Sequence, residues 1–130
     1  MPHILIEHSA NLAERTDIQA LVDRLHAAAL DTGVFPAGGT RTRAFGRDIY
    51  RIADGDPDNA FVHVNVRIGA GRDDTVKQDV TDKLFGAICD ALAEVCRTSP
   101  LAISFELQEI NPAYSRKKNN IHQRLSSRKS

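Results

Sequence analysis

The 130-residue chain has no excess charge of one sign: seventeen Lys and Arg balance seventeen Asp and Glu, giving a formal net charge of zero at pH 7. A strongly basic surface built for nucleic acid is disfavoured by that balance. Cysteine is scarce. Cys89 and Cys96 are the only two, and the periodicity around them predicts one helix, which would hold their Cα atoms roughly 10 Å apart. A disulfide needs less than about 7 Å, so no intrachain bridge is expected. No long apolar run is present, and no basic-then-apolar leader opens the chain, so a reduced, cytoplasmic protein without a membrane segment is expected. Hydrophobic residues make up 42%, which excludes disorder as the dominant state and suffices for one modest core rather than two.

Several segments show clear patterning. Pro2-His3-Ile4-Leu5-Ile6-Glu7 is apolar and β-branched, the mark of a short strand. Thr16-Asp17 precedes Ile18, Leu21, Val22, Leu25 and Ala28 or Ala29 at helical spacing, and Gly33 closes that helix. Pro36 and Gly38-Gly39 form a loop. Arg41 to Ile52 reads as a second, more polar strand or strand pair interrupted at Gly46, and Asp54-Gly55-Asp56-Pro57 as a turn. The order then repeats. Phe61 to Ile68 alternates like a half-buried strand, Gly69-Ala70-Gly71-Arg72 turns, and Asp73-Asp74 opens a helix with carboxylates at its positive end. Its stripe is Val76, Val80, Leu84, Ile88, Ala91, Leu92 and Val95. Leu101 to Glu109 is a strand with Ile103, Phe105 and Leu107 on one face.

The pattern is β-α-β followed by β-α-β, with an offset of about sixty residues that sets Pro2-His3-Ile4 against Val62-His63-Val64. Two right-handed βαβ units of about 2–53 and 60–112 would share one sheet. An antiparallel, ferredoxin-like split βαβ gives the same element order, and pattern alone does not separate them. A single domain over 1–125 is expected, followed by a basic, flexible tail at 126–130. Within Ser115 to Ser130 there are six Lys and Arg and no acid. Ile121 and Leu125 are spaced to dock one helical turn, on this chain or on a neighbour.

Pro2 carries the most interesting chemistry. Loss of Met1 would expose a prolyl secondary amine, and an α-amino group titrates near 8, closer to neutrality than lysine. An apolar pocket or nearby arginines would lower that further and leave a free base at neutral pH. Arg41 and Arg43 alternate on one strand face after a glycine-rich loop, and Arg72 follows glycines at a strand-to-helix turn. Planar guanidinium groups there suit bidentate binding of carboxylates. Pairing with Asp48, Asp73 or Asp74 is the plainer alternative. Gly69-Ala70-Gly71-Arg72 lacks the third glycine and later acid of a dinucleotide fingerprint. The five histidines show no metal-ligand spacing with the cysteines, and Ser9 lacks the company of a hydrolase triad.

Taken together, Pro2 to Glu7, Thr32 to Arg43, Phe61-Val62-His63, Gly69 to Arg72, Ser104-Phe105-Glu106 and Lys118 to His122 resemble the 5-carboxymethyl-2-hydroxymuconate isomerase family. The likeness runs from Pro2 to about Leu125. It places the chain among the tautomerases, whose smaller members, such as 4-oxalocrotonate tautomerase, are one βαβ unit long. The resemblance implies an α+β fold of tandem βαβ units, with one four-stranded mixed sheet, two helices on one face, and assembly as a homotrimer. It implies Pro2 as catalytic base, Arg41, Arg43 and Arg72 at or near the substrate carboxylates, a polycarboxylate dienol as substrate, and neither metal nor organic cofactor. Val62 stands where a second proline would be needed, so only the first unit can supply the amine. A tautomerase fold that binds carboxylates without turning them over is the rival expectation.

Overall fold

The computed structural model describes residues 2–129; Met1 and Ser130, and with them the expected loss of the first residue, lie outside the described residues. Strand β1 (His3–Ser9) lies inside the sheet, and its alternation fixes two faces. Ile4 and Ile6 are fully buried, whereas His3, Leu5 and Glu7 point to the opposite face and are half-buried. The same period runs through β3 (Ala60–Gly69), where Val62, Val64, Val66 and Ile68 face the core. Strands β2 (Arg41–Arg47) and β4 (Leu101–Ile110) are the edges, and the order is β2-β1-β3-β4. β2 runs parallel to β1 and β4 parallel to β3, while β1 and β3 are antiparallel. Two parallel pairs back to back are tandem βαβ units; a purely antiparallel ferredoxin-like sheet is excluded.

Helices supply the crossovers. α1 (Ile18–Asp31) starts where the Asp17 carboxylate accepts a hydrogen bond from the Ala20 N–H, and ends with Gly33 at φ 72° donating to the Leu30 carbonyl. α2 (Asp74–Ala91) is capped in the same way, Asp73 accepting from the Val76 N–H. Leu21, Leu25 and Ala29 of α1 and Val80, Leu84 and Ile88 of α2 join the buried strand residues in one core. Each fully buried leucine there contributes about 1.5–3 kcal/mol relative to exposure.

Three boundaries depart from the sequence expectation. β2 stops at Arg47 rather than continuing to Ile52, and passes through Gly46 without a break. Among the described residues its one neighbour is β1, which ends at Ser9, paired with Arg47, so residues beyond have no described strand to bond. The second helix is not continuous across the cysteines: it breaks at Leu92, and α3 (Ala93–Thr98) follows. Leu92 and Val95 are both buried, and both cysteines are free thiols. Finally, α4 (Ile121–Lys129) packs on the short 3₁₀ turn Ala37–Gly39 of the same chain, with Leu125 half-buried.

Candidate active site

A cavity of about 560 Å³ opens at one end of the sheet. His3 and Arg41, paired across β1 and β2, form one wall. Gly69 and Ala70 at the end of β3, and Ile110 at the end of β4 with Pro112 just beyond it, form two more. The segment Ser115-Arg116-Lys117-Lys118 closes the fourth side. Arg41, Arg116, Lys117 and Lys118 therefore contribute four cationic side chains to the lining, and no carboxylate is among the lining residues. In a protein of zero net charge, this concentrates positive potential in a concave, partly apolar site.

His3 is the most perturbed group in that wall. Burial, followed by the guanidinium groups of Arg43, Arg41 and Arg67, holds its imidazole below the ordinary value of 6.5. Arg41 Nη1 lies 3.4 Å from Nε2 and Arg43 Nη1 3.3 Å from Nδ1. A neutral imidazole offers one ring lone pair, so it accepts from only one of these guanidiniums at a time. The neutral ring thus sits among three arginines without adding to their charge.

Of the four residues singled out from the sequence, Arg41 lines the cavity. Pro2 is buried immediately before His3, and its carbonyl accepts the Arg41 backbone N–H at 3.2 Å, which ties it to two lining residues. Arg43 follows one pleat along β2, exposed and against the His3 ring. Arg72 is placed differently. Its Nη1 donates to the Gly69 carbonyl at 3.1 Å and its Nη2 to the Val34 carbonyl at 3.3 Å, with the guanidinium 5.2 Å from the Phe35 ring centre. Those bonds brace the turn that carries Gly69 and Ala70 into the lining. Among the described residues, no three His, Cys, Asp or Glu side chains cluster closely enough to hold a metal ion.

Sequence reasoning missed the cationic contribution of residues 116–118, and it missed Arg67. The acid-free run after Ser115 was the available signal for the first. For the second it was alternation, which puts Arg67 opposite His3 across the antiparallel pair.

The family model for 5-carboxymethyl-2-hydroxymuconate isomerase matches residues 2–125. This chain belongs to that family. It is 37% identical over 122 residues to 5-carboxymethyl-2-hydroxymuconate Delta-isomerase of Escherichia coli, covering 94% of this chain and 97% of the relative. The crystal structure of a 5-carboxymethyl-2-hydroxymuconate isomerase from Deinococcus radiodurans R1 superposes with a TM-score of 0.89 at 39% identity, over 95% of this chain and 93% of that one. A fused 4-OT protein solved as a symmetric trimer shares the fold, with a TM-score of 0.63 at 15% identity over 89% and 93% of the two chains. As a 5-carboxymethyl-2-hydroxymuconate isomerase family member, the chain has the tautomerase fold, and its cationic cavity stands at the Pro2 end of the first βαβ unit.

Proposed function

We propose that the protein isomerises a 5-carboxymethyl-2-hydroxymuconate-type dienol to its keto isomer, with Pro2 as the proton carrier. The observation that supports this most strongly is the cavity beside Pro2, lined by cations and free of carboxylates, in a member of an isomerase family. A muconate with a carboxymethyl arm carries three carboxylates, and a wall of guanidinium and ammonium groups is the complement of such a ligand.

In this reading, removal of Met1 turns the Pro2 nitrogen from an amide into a secondary amine. The amine takes the proton of the substrate's 2-hydroxyl, the electron pair moves through the conjugated system, and the protonated proline delivers the proton to a remote carbon. The enol becomes a ketone and the amine returns to its starting state, with no net proton consumed. Burial of Pro2 and the adjacent arginines disfavour the protonated amine and keep it basic at neutral pH. Arg41 and Arg43 grip carboxylates and stabilise negative charge developing on the C2 oxygen, while Arg72 holds the Gly69–Ala70 wall. The setting is the cytoplasmic breakdown of hydroxylated arylacetates.

The same reading makes the protein a homotrimer. Helices cover one face of the sheet, while the other face carries Leu5, Phe45 and Phe61, each half-buried, with the Arg47 guanidinium over Phe45 and the Tyr50 ring edge-on to Phe61. The trimeric state of the 4-OT relative agrees with this. Light scattering should return three times the mass of one chain; a monomer would refute the assembly.

The decisive experiment pairs intact-mass measurement with an ultraviolet assay of dienol conversion on the same sample. Loss of one methionine together with turnover supports the mechanism. Turnover by a protein that still begins with Met1 sinks it. Binding of the dienol without conversion, with Met1 gone, would instead make the protein a carboxylate-binding module.

A further inference from the structure

The segment that closes the cavity is far from the rest of the wall in sequence and is fastened in a particular way. The Asn119 side-chain amide donates to the Gly38 carbonyl at 2.7 Å, across 81 residues of chain, while its Oδ1 accepts the Ile121 N–H at 2.8 Å and starts α4. The His122 ring then lies flat against Gly38. A Cβ at that glycine would stand 2.5 Å from His122 Nδ1, so any larger residue there displaces the ring. Residues 115–118 are thereby stretched between the end of β4 and this clasp. Arg116 bonds backwards to the carbonyls of Ala113 and Ser115. Lys117 and Lys118 differ from it: both line the cavity, and among the described residues neither ammonium has a hydrogen bond or an ion pair. Four other cations of that set have acid partners: Arg47 with Glu7, Lys77 with Asp74 and Glu109, Lys83 with Asp79, and Arg97 with Glu94.

Two exposed ammonium groups on a concave wall whose lining residues include no carboxylate form a ready receptor for an anion. We propose that Lys117 and Lys118 are specificity-determining residues that read the carboxylate farthest from the reacting enol, the carboxymethyl arm, and that Asn119, His122 and Gly38 are positioning residues for them. This inference rests on the isomerase reading and names the part of the site that separates tricarboxylate from dicarboxylate substrates. Arg41 in the lining, with Arg43 one pleat farther along β2, is then left for the carboxylate next to the enol.

The test uses the full chain in two assays. In turnover, kcat/KM is compared for 5-carboxymethyl-2-hydroxymuconate and for 2-hydroxymuconate, which lacks the arm. The Lys117→Gln/Lys118→Gln variant should lower the ratio of the two values roughly tenfold to a hundredfold, chiefly through KM for the tricarboxylate. Gly38→Ala, which removes no charge but displaces His122, should lower the same ratio. A Lys83→Gln/Arg97→Gln variant, with the same charge change on the helices, should leave the ratio where it is. In the second assay, calorimetry compares propane-1,2,3-tricarboxylate with glutarate. The wild type should bind the former about tenfold more tightly or better, and the Lys117/Lys118 variant should lose that preference. Equal losses on both dienols, or an effect matched by the helix variant, overturn the proposal while leaving the isomerase reading intact. A calorimetric preference that depends on the two lysines, without turnover of either dienol, upholds the reader and refutes the catalytic reading.

Discussion

In the first βαβ unit the residue facing His3 across the parallel strand pair is Arg41, and Leu5 faces Arg43. At the matching positions of the second unit His63 faces Ser104, and Asn65 faces Glu106. The backbones are alike, but the chemistry has changed sign. His63 Nδ1 is 2.6 Å from Ser104 Oγ and its Nε2 is 3.6 Å from Glu106, while Asn65 donates to Glu106 at 2.9 Å and to Gln108 at 3.2 Å. The second unit pairs His63, Ser104, Glu106 and the Asn65 amide N–H with one another, leaving Asn65 Oδ1 without a partner among the described residues; the first presents cations to a cavity. Their starts differ as well. β1 begins one residue after Pro2, whereas Val62 stands inside β3, fully buried, with its nitrogen in a peptide bond. One fold supports both outcomes because the open face of a sheet constrains spacing and leaves side-chain charge unspecified.

The contrast is sharpest at the proposed amine. Pro2→Ala should lower kcat by about a hundredfold or more in the ultraviolet assay, whereas Val62→Ala should cost roughly 2 kcal/mol of stability by denaturant titration and leave kcat close to wild type. Equal turnover losses would mean that the two units are not specialised. Next in size is the register partner of the histidine. Arg41→Gln should reduce kcat/KM by about ten- to a hundredfold, and Ser104→Ala should stay within about twofold; a comparable drop from Ser104→Ala would break the asymmetry.

A smaller effect is expected where the first unit borrows support from the second. Arg72→Lys keeps the charge but loses the two-armed bond to the Gly69 and Val34 carbonyls. A loss of about 1–2 kcal/mol in chemical unfolding, with binding of the dienol weakened only modestly, is the expected result. Loss of binding without loss of stability would instead make Arg72 a direct carboxylate ligand.

The least effect belongs to His3 and pH. Its folded-state pKa is depressed, so the unfolded chain holds that proton more tightly. Stability from this group is full above about 6.5 and falls as pH drops from there through the lower folded value. His3→Gln should flatten that acidic limb in denaturant titrations across pH. An unchanged limb would show that neither burial nor the neighbouring arginines depress the ring's pKa.

Much of this architecture is legible in the residues because period two and period three-to-four rarely mimic each other at these lengths. Ile4 and Ile6, Val62 to Ile68, and the α1 and α2 stripes announce their faces, and Asp17 and Asp73 announce their helix starts. The end of β2 was not legible, since it depends on where a neighbouring strand stops. Nor was the break at Leu92, which keeps an apolar pattern that an unbroken helix would also show. Arg41 and Arg43 could be placed on one face from alternation alone. Arg72 shows the opposite case: a guanidinium after a glycine turn has the same local sequence whether it reaches outward or folds back onto carbonyls. Lys117 and Lys118 join the site through a contact made 81 residues away, and no local pattern encodes that.

β1 bonds to β2 over its whole length, His3 through Ser9, and to β3 from His3 through His8, with Pro2 buried at its head. Anything appended before that proline must leave from a covered, doubly flanked strand, and it converts the nitrogen to an amide whatever its length. If Pro2 carries the proton as proposed, an N-terminally tagged preparation should be well folded, give a normal melting curve and bind carboxylates, yet fail every rate assay until the tag is cut back to the imino acid itself. The opposite end offers no free choice either, because α4 is part of the clasp on Gly38; a label on a surface lysine of α2, such as Lys83, disturbs neither.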